Sequence, residues 1–370
     1  MRLGVPRETA VNERRVALVP DSVAKLVQAK LELLVEQGAG SGSSFSDDAY
    51  RAAGAAVVAD ARKVLAESDV VVKVQRPSPE EVAQLREGAV VISLLQPDRH
   101  PDLVKVLTAR KVTAFSMELV PRITRAQSMD ALSSQSTVAG YKAVLVGAAG
   151  LGKLLPMLTT AAGTLAPAKV FVLGAGVAGL QAIATARRLG AIVSAFDVRP
   201  AVKEQVESLG ATFVAPEAVS AEAETSGGYA RELAEEQHKR ELELIHQHIR
   251  DMDLVITTAL IPGRPAPKLI TEPMVRDMKP GSVIVDLAAE AGGNCELTEP
   301  GAEIVRHGVA IQGPLNLAAT VPLHASQMYS RNLLSLLQYL VKDGRLTIDL
   351  NDAITGAMVV THQGELRSKT

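Results

Sequence analysis

The densest chemical signal in the sequence is KVFVLGAGVAGLQAIATARRLGAIVSAFDVRP, residues 169–200. Gly174, Gly176 and Gly179 follow an apolar run with strand character and open a helical pattern. In that setting the first glycine permits a tight turn and the second lets backbone approach a pyrophosphate. The third lets helix and strand pack closely, and the free N–H groups at the helix start attract phosphate. Asp197, at the end of the next strand run, is placed to accept hydrogen bonds from an adenosine ribose and repels a 2′-phosphate, so NAD(H) is favoured over NADP(H). The expected cofactor-binding stretch is Gly174, Gly176, Val177, Gly179, Asp197, Val198 and Arg199, with Arg199 read as a solvated charge beside the adenine. A second glycine group, Gly38, Gly40 and Gly42, lacks a third glycine at the required spacing and reads as a turn. One nucleotide site is therefore visible, and a reaction between two nucleotides needs the other one on another chain.

A second group of candidates lies in PRITRAQSMDALSSQSTVAGY, residues 121–141. Arg122, Gln127, Asp130 and Ser133 do not fit one helix face, so the segment is predicted as a loop. At the junction of two domains it would project into the cleft where nicotinamide sits in doubly wound dehydrogenases. An amide can orient a nicotinamide, a guanidinium can hold phosphate or ribose oxygens, and a carboxylate with a hydroxyl can lock those side chains. Further on, Gly228 precedes Tyr229 in SGGYARE, a combination suited to a hinged lid. The rest of that charged segment, to Arg250, reads as an exposed amphipathic helix. His246 and His248 share no helix face and Cys295 is a lone thiol, so no metal site is expected and the thiol is read as buried and inert.

These residues need rigid elements behind them, and the chain supplies two series. From Arg2 to about Leu119, β-rich runs alternate with helical patterns, and a second alternation starts near Lys169. Alternation of this kind implies parallel sheets covered by helices. The fold class predicted is α/β, with two doubly wound Rossmann-like domains. The chain's 370 residues exceed the roughly 250 to 300 at which single cores stop growing. The helical stretch 322–341 is read as returning to the first domain, giving residues 1–136 plus 320–370 for that domain and 137–319 for the NAD(H)-binding one. A net charge of −2 and 3% aromatic residues with no Trp give no reason to invoke nucleic acid. Neither a signal peptide nor a membrane span is visible, so a cytoplasmic protein is expected.

PRITRAQSMDALSSQSTVAGYKAVL closely resembles the interdomain loop of the NAD-binding component of proton-translocating transhydrogenases, and the resemblance runs essentially the length of the chain. It implies that Arg122, Gln127, Asp130 and Ser133 contact the nicotinamide ribose, pyrophosphate or carboxamide, with the glutamine also approaching the NADP nicotinamide. It further implies that Tyr229, with Gly228 beside it, closes over bound NAD and that Leu260, in ITTALIPGRPAPKLI, lies beside the nucleotide. The partners implied are an NADP(H)-binding subunit, docking on a dimer of this chain, and a membrane subunit that conducts protons. The chain would then sit peripherally at the inner face of the cell membrane.

The rival resemblance is to alanine dehydrogenase, which shares GVPRE and LIPGRPAPKLI. There Arg15 and Lys73 match substrate-carboxylate and carbonyl contacts, but the catalytic histidine falls on Gln96 and the catalytic aspartate on Glu290. Gln96 cannot titrate, whereas amine oxidation needs a group that exchanges a proton near neutral pH. His100, nearby, reads as a surface helix cap. A non-catalytic NAD-binding regulator is the remaining alternative, and it would have no need for Gln127.

Overall fold

The structure, a computed structural model, describes residues 1–214, 235–261, 264–342 and 344–367. The chain divides into two compact units, Met1–Gln135 with Ala318–Thr370, and Ser136–Leu317.

The first unit is built on an eight-stranded sheet in the order Glu365–Leu366, Val359–His362, Thr113–Ser116, Val90–Leu94, Val70–Gln75, Arg2–Val5, Glu32–Glu36, Ala56–Val58. The strands from Arg2 to Ser116 are all parallel. Runs such as VVVKVQ, almost wholly buried, suit a sheet covered on both faces. Three of the intervening helices start on side-chain caps: Ser46 accepts from Ala49 N, Asp60 from Arg62 N, and Ser78 with Glu81 forms a capping box, each satisfying N–H groups that no helical carbonyl reaches. Helix Pro322–Leu340 belongs to this unit, burying Leu333, Leu336 and Leu337 in its core. The same helix buries polar residues. Ser326 and Ser330 accept from the N–H groups of Val16 and Val19, each at 3.0 Å, and the Tyr329 hydroxyl donates to the Lys73 carbonyl at 2.8 Å.

The second unit carries a seven-stranded sheet in the order Thr212–Val214, Ile192–Phe196, Lys169–Leu173, Leu254–Thr257, Val283–Asp286, Val309–Gln312, Glu303–Arg306. The chain thus starts mid-sheet, winds outward one way and then the other, which is the doubly wound α/β topology.

The segment 121–141 departs from the loop predicted for it. It contains two 3₁₀ turns, Thr124–Met129, and the start of a twenty-residue helix, Ala131–Gly150. The helix was illegible because it packs on several sides and so lacks one apolar stripe. Its Gly140 lies so near helix Val177–Arg188 that a Cβ there would come within 2.1 Å of the Ala178 carbonyl. Short edge strands also lack a legible sequence pattern: the antiparallel Glu303–Arg306, the hairpin Leu158–Thr160 with Gly163–Leu165, and the C-terminal pair on the first sheet. Helix Glu235–Ile249, expected to be exposed, buries Glu241, Ile245 and Ile249. Among the described residues no helix is long and apolar enough to cross a membrane, and no group of three or more His, Cys, Asp or Glu could hold a metal ion.

Candidate nucleotide site

The turn after Lys169–Leu173 lies where the strand order reverses, between Ile192–Phe196 and Leu254–Thr257, the position at which such sheets bind ligands. Each glycine there has a different surrounding. Gly174 has φ +95°, and a Cβ on it would sit 2.8 Å from Thr258 Oγ1, whose hydroxyl donates to the Gly174 carbonyl at 2.9 Å. A Cβ on Gly179 would lie 1.8 Å from that same carbonyl. Both glycines are therefore required by the fold. Among the described residues a Cβ on Gly176 would meet nothing within 4 Å, although this residue begins helix Val177–Arg188, whose first turn carries no acid and no side-chain cap. Open space in front of uncapped, positively polarised N–H groups fits a pyrophosphate.

Asp197 is 5% exposed and accepts four hydrogen bonds. Ala175 N and Arg199 Nη2 reach Oδ2 at 2.7 and 2.8 Å, while Arg199 N and Nε reach Oδ1, each at 2.9 Å. Arg199 is thus no solvated charge, as its sequence position suggested, but the bidentate partner of Asp197. The carboxylate braces the glycine turn through Ala175, with Val198 half-buried beside it. Glu241, only 2% exposed, has its pKa pushed up to about 7 by burial and then by the Asp197 charge. Since its folded pKa exceeds the unfolded value, its contribution to stability is complete below pH 4.5 and lost as pH rises through about 7. Glu241→Gln should therefore melt above the wild type at pH 8, by a difference on the order of 2 kcal/mol, and show no such gain below pH 4.5. Calorimetric melting across this range tests the assignment, and a gain independent of pH would refute it.

Leu260 is 47% exposed in the segment after Leu254–Thr257. Buried Asn294 fixes that segment, accepting from Ala259 N at 3.0 Å and donating to the carbonyls of Ala259 and Pro267 at 2.9 and 2.8 Å. Sequence reasoning missed Thr258, Glu241 and Asn294; the TTAL run after a strand is the available signal for the first. Gly228 and Tyr229 lie outside the described residues. Cys295 is buried and burial pushes its thiol up to about 11, in keeping with an inert thiol.

In the first unit, Arg122 and Gln127 are exposed. Asp130 and Ser133 serve each other: Ser133 N donates to Oδ1 at 2.9 Å and Ser133 Oγ to Oδ2 at 2.6 Å. This geometry is that of a cap on helix Ala131–Gly150. Arg125 pairs with Asp352 at 3.0 Å.

The positions weighed for dehydrogenase chemistry are engaged within the first unit or lie exposed, and Gln96 carries no titrating group. Gln96 has φ +51° and its N–H donates to Glu118. Arg15 is buried against Glu13 at 2.6 Å, and Lys73 against Glu81 and Glu8 at 2.7 and 3.6 Å. Burial pulls the Lys73 ammonium down, but Glu8 and Glu81 outweigh it and hold its pKa above the usual value. Exposed Glu290 accepts from Asn316 N at 2.7 Å. His100 occupies the start of helix Pro101–Ala109, yet its side chain makes no capping hydrogen bond.

The sequence matches two family models, Alanine dehydrogenase/PNT N-terminal domain over residues 4–139 and Alanine dehydrogenase/PNT C-terminal domain over residues 143–369. It is 52% identical over 375 residues to the first of the polypeptides that make up NAD(P) transhydrogenase subunit alpha of Rhodospirillum rubrum, covering 99% of this chain and 97% of that one. The crystal structure of transhydrogenase from Sinorhizobium meliloti superposes with a TM-score of 0.91 at 47% identity, covering 99% and 100% of the two chains. Alanine dehydrogenase 2 of Staphylococcus aureus is 36% identical over 330 residues, 87% of this chain and 82% of that one. With both of its domains matched, the chain belongs to the alanine dehydrogenase/PNT family and is a homologue of the alpha subunits of NAD(P) transhydrogenases.

Proposed function

We propose that this chain is the NAD(H)-binding component of a proton-translocating transhydrogenase, passing hydride between NADH and NADP held by a separate subunit. The observation that carries the reading is Gln96, a side chain without a titrating proton where an amino acid dehydrogenase needs one. NADH supplies a hydride, and its transfer to a second nicotinamide requires no general acid or base. It requires alignment and exclusion of water. In this reading the Gly174–Gly179 turn and Asp197 bind the pyrophosphate and adenosine ribose of NAD(H), flanked by Val177, Val198, Arg199 and Leu260. Arg122 and Gln127 hold the nicotinamide end, Asp130 and Ser133 shape the backbone that presents them, and Tyr229 with Gly228 closes over the cofactor.

The partners are an NADP(H)-binding subunit and a membrane subunit that couples exchange to proton movement, and the chain is cytoplasmic, held at the membrane by them. A homodimer is supported by the hairpin 158–165, where Met157 and Leu165 are 63% and 55% exposed beside exposed Leu154 and Leu158; apolar side chains in such a group mark an interface. Met157→Asp with Leu165→Asp should halve the mass measured by light scattering, and an unchanged mass would remove the hairpin from the interface.

The test of function is hydride transfer from NADH to a nicotinamide-modified NADP⁺ analogue, with and without a purified NADP(H)-binding subunit, beside an alanine-plus-NAD⁺ assay. Transfer should depend on the partner, fall about 100-fold in Gln127→Asn, and be absent with alanine. NADH production from alanine without the partner would establish the dehydrogenase instead.

A further inference from the structure

Gln127 belongs to the 3₁₀ helix Thr124–Met129, six residues long, and two such turns have too few and too poorly aligned hydrogen bonds to hold their own shape. Something outside the segment must fix it. A buried polar side chain is aimed at it: Asn332, 8% exposed on helix Pro322–Leu340. Its Nδ2 donates to the carbonyl of Ser128, the neighbour of Gln127, at 2.8 Å. Its Oδ1 accepts from Ser134 Oγ at 2.7 Å, so both ends of the amide are engaged and its orientation is settled by its partners. The chain of bonds continues. Gln135 Nε2 donates to Ser134 Oγ at 3.2 Å and to the Ala325 carbonyl at 3.1 Å, and its Oε1 accepts from Arg15 Nη1 at 2.8 Å. Arg15 in turn is clamped by Glu13.

We infer that Asn332 is a positioning residue for the reaction, fixing through the Ser128 carbonyl the place from which Gln127 acts, with Ser134, Gln135 and Arg15 as its buried support. The inference rests on the reading that Gln127 orients the nicotinamide. It assigns to Arg15 a structural duty in this chain. The physical basis is that a buried amide holding two backbone-linked groups loses both bonds when truncated, and a displacement of about 1 Å at a positioning group costs up to ~100-fold in rate.

The experiment uses the full chain with its NADP(H)-binding partner and reads single-turnover hydride transfer, NADH affinity and melting temperature. Asn332→Ala should slow transfer about tenfold or more while NADH affinity stays within about threefold, because the proposed function assigns the adenosine and pyrophosphate to Asp197 and the Gly174–Gly179 turn. Ser134→Ala, which keeps the Ser128 bond, should fold readily and slow transfer by a smaller factor. Ser330→Ala removes a buried hydroxyl from the same helix, one that serves Val19 N, and should lower the melting temperature without slowing transfer. Equal slowing in Ser330→Ala and Asn332→Ala would show general destabilisation and overturn the inference. Normal transfer in Asn332→Ala and Ser134→Ala, with transfer lost in Gln127→Asn, would overturn it and leave the functional reading intact. Normal transfer in Gln127→Asn would remove that reading.

Discussion

Gly176→Asp should weaken NADH binding by at least ~100-fold, about 3 kcal/mol, while the nucleotide-free protein melts at or slightly above the wild-type temperature. The two effects have opposite signs because, among the described residues, nothing lies within 4 Å of a Cβ at Gly176. The backbone there is extended at φ −76°, ψ −167°, which aspartate adopts without strain, and aspartate is a better helix cap than glycine, with a charge that favours the helix start. The same charge stands where the pyrophosphate of NADH would lie and repels it. Gly179→Ala makes the opposite comparison: its Cβ would collide with the Gly174 carbonyl, so it should lose stability whether or not nucleotide is present. Titration of NADH fluorescence together with calorimetry separates these cases. Retained nanomolar or micromolar NADH affinity in Gly176→Asp would mean that the phosphates lie elsewhere.

Three glycines after a strand are legible as a phosphate turn, since only that turn needs all three. Which of them serves the ligand and which the fold depends on Thr258 and on helix packing, and neither is local in sequence. The same distinction holds for the sheets. Buried parallel strands such as Val70–Gln75 and Leu254–Thr257 announce themselves by continuous apolar runs, whereas two- to four-residue edge strands carry no period long enough to detect. For the 122–133 group, residue chemistry suggested a cofactor loop but hid its architecture: the Asp130–Ser133 cap is local and could have been read from the D-x-x-S spacing. The Asn332 clamp, from far along the chain, leaves no trace in helical periodicity. Polar positions on a buried helix face look like interruptions of the apolar stripe until their partners are seen.

Asp197→Ser should weaken NADH binding about tenfold and reduce discrimination against NADPH, and adding Glu241→Gln should reduce that discrimination further. A carboxylate offers about four acceptor positions, and the four hydrogen bonds from Ala175 and Arg199 occupy them. For Asp197 to accept from a ribose, the Arg199 side chain must give up at least one of its two bonds, so the ion pair competes with the cofactor. Replacing the carboxylate by serine removes the bidentate partner of the guanidinium, whose planar fork suits a 2′-phosphate. Glu241 opposes that gain. Its proton is retained near neutral pH by burial and then by the Asp197 charge; once that charge is removed, the Glu241 pKa falls, and its carboxylate, when ionised, repels the phosphate. The single variant should accordingly bind NADPH better at pH 6 than at pH 8 by more than the double variant does. Paired titrations of NADH and NADPH at both pH values decide the matter. If the double variant still rejects NADPH as strongly as the wild type, the adenosine ribose does not bind at Asp197, and selectivity for NAD(H) must originate in another part of the chain.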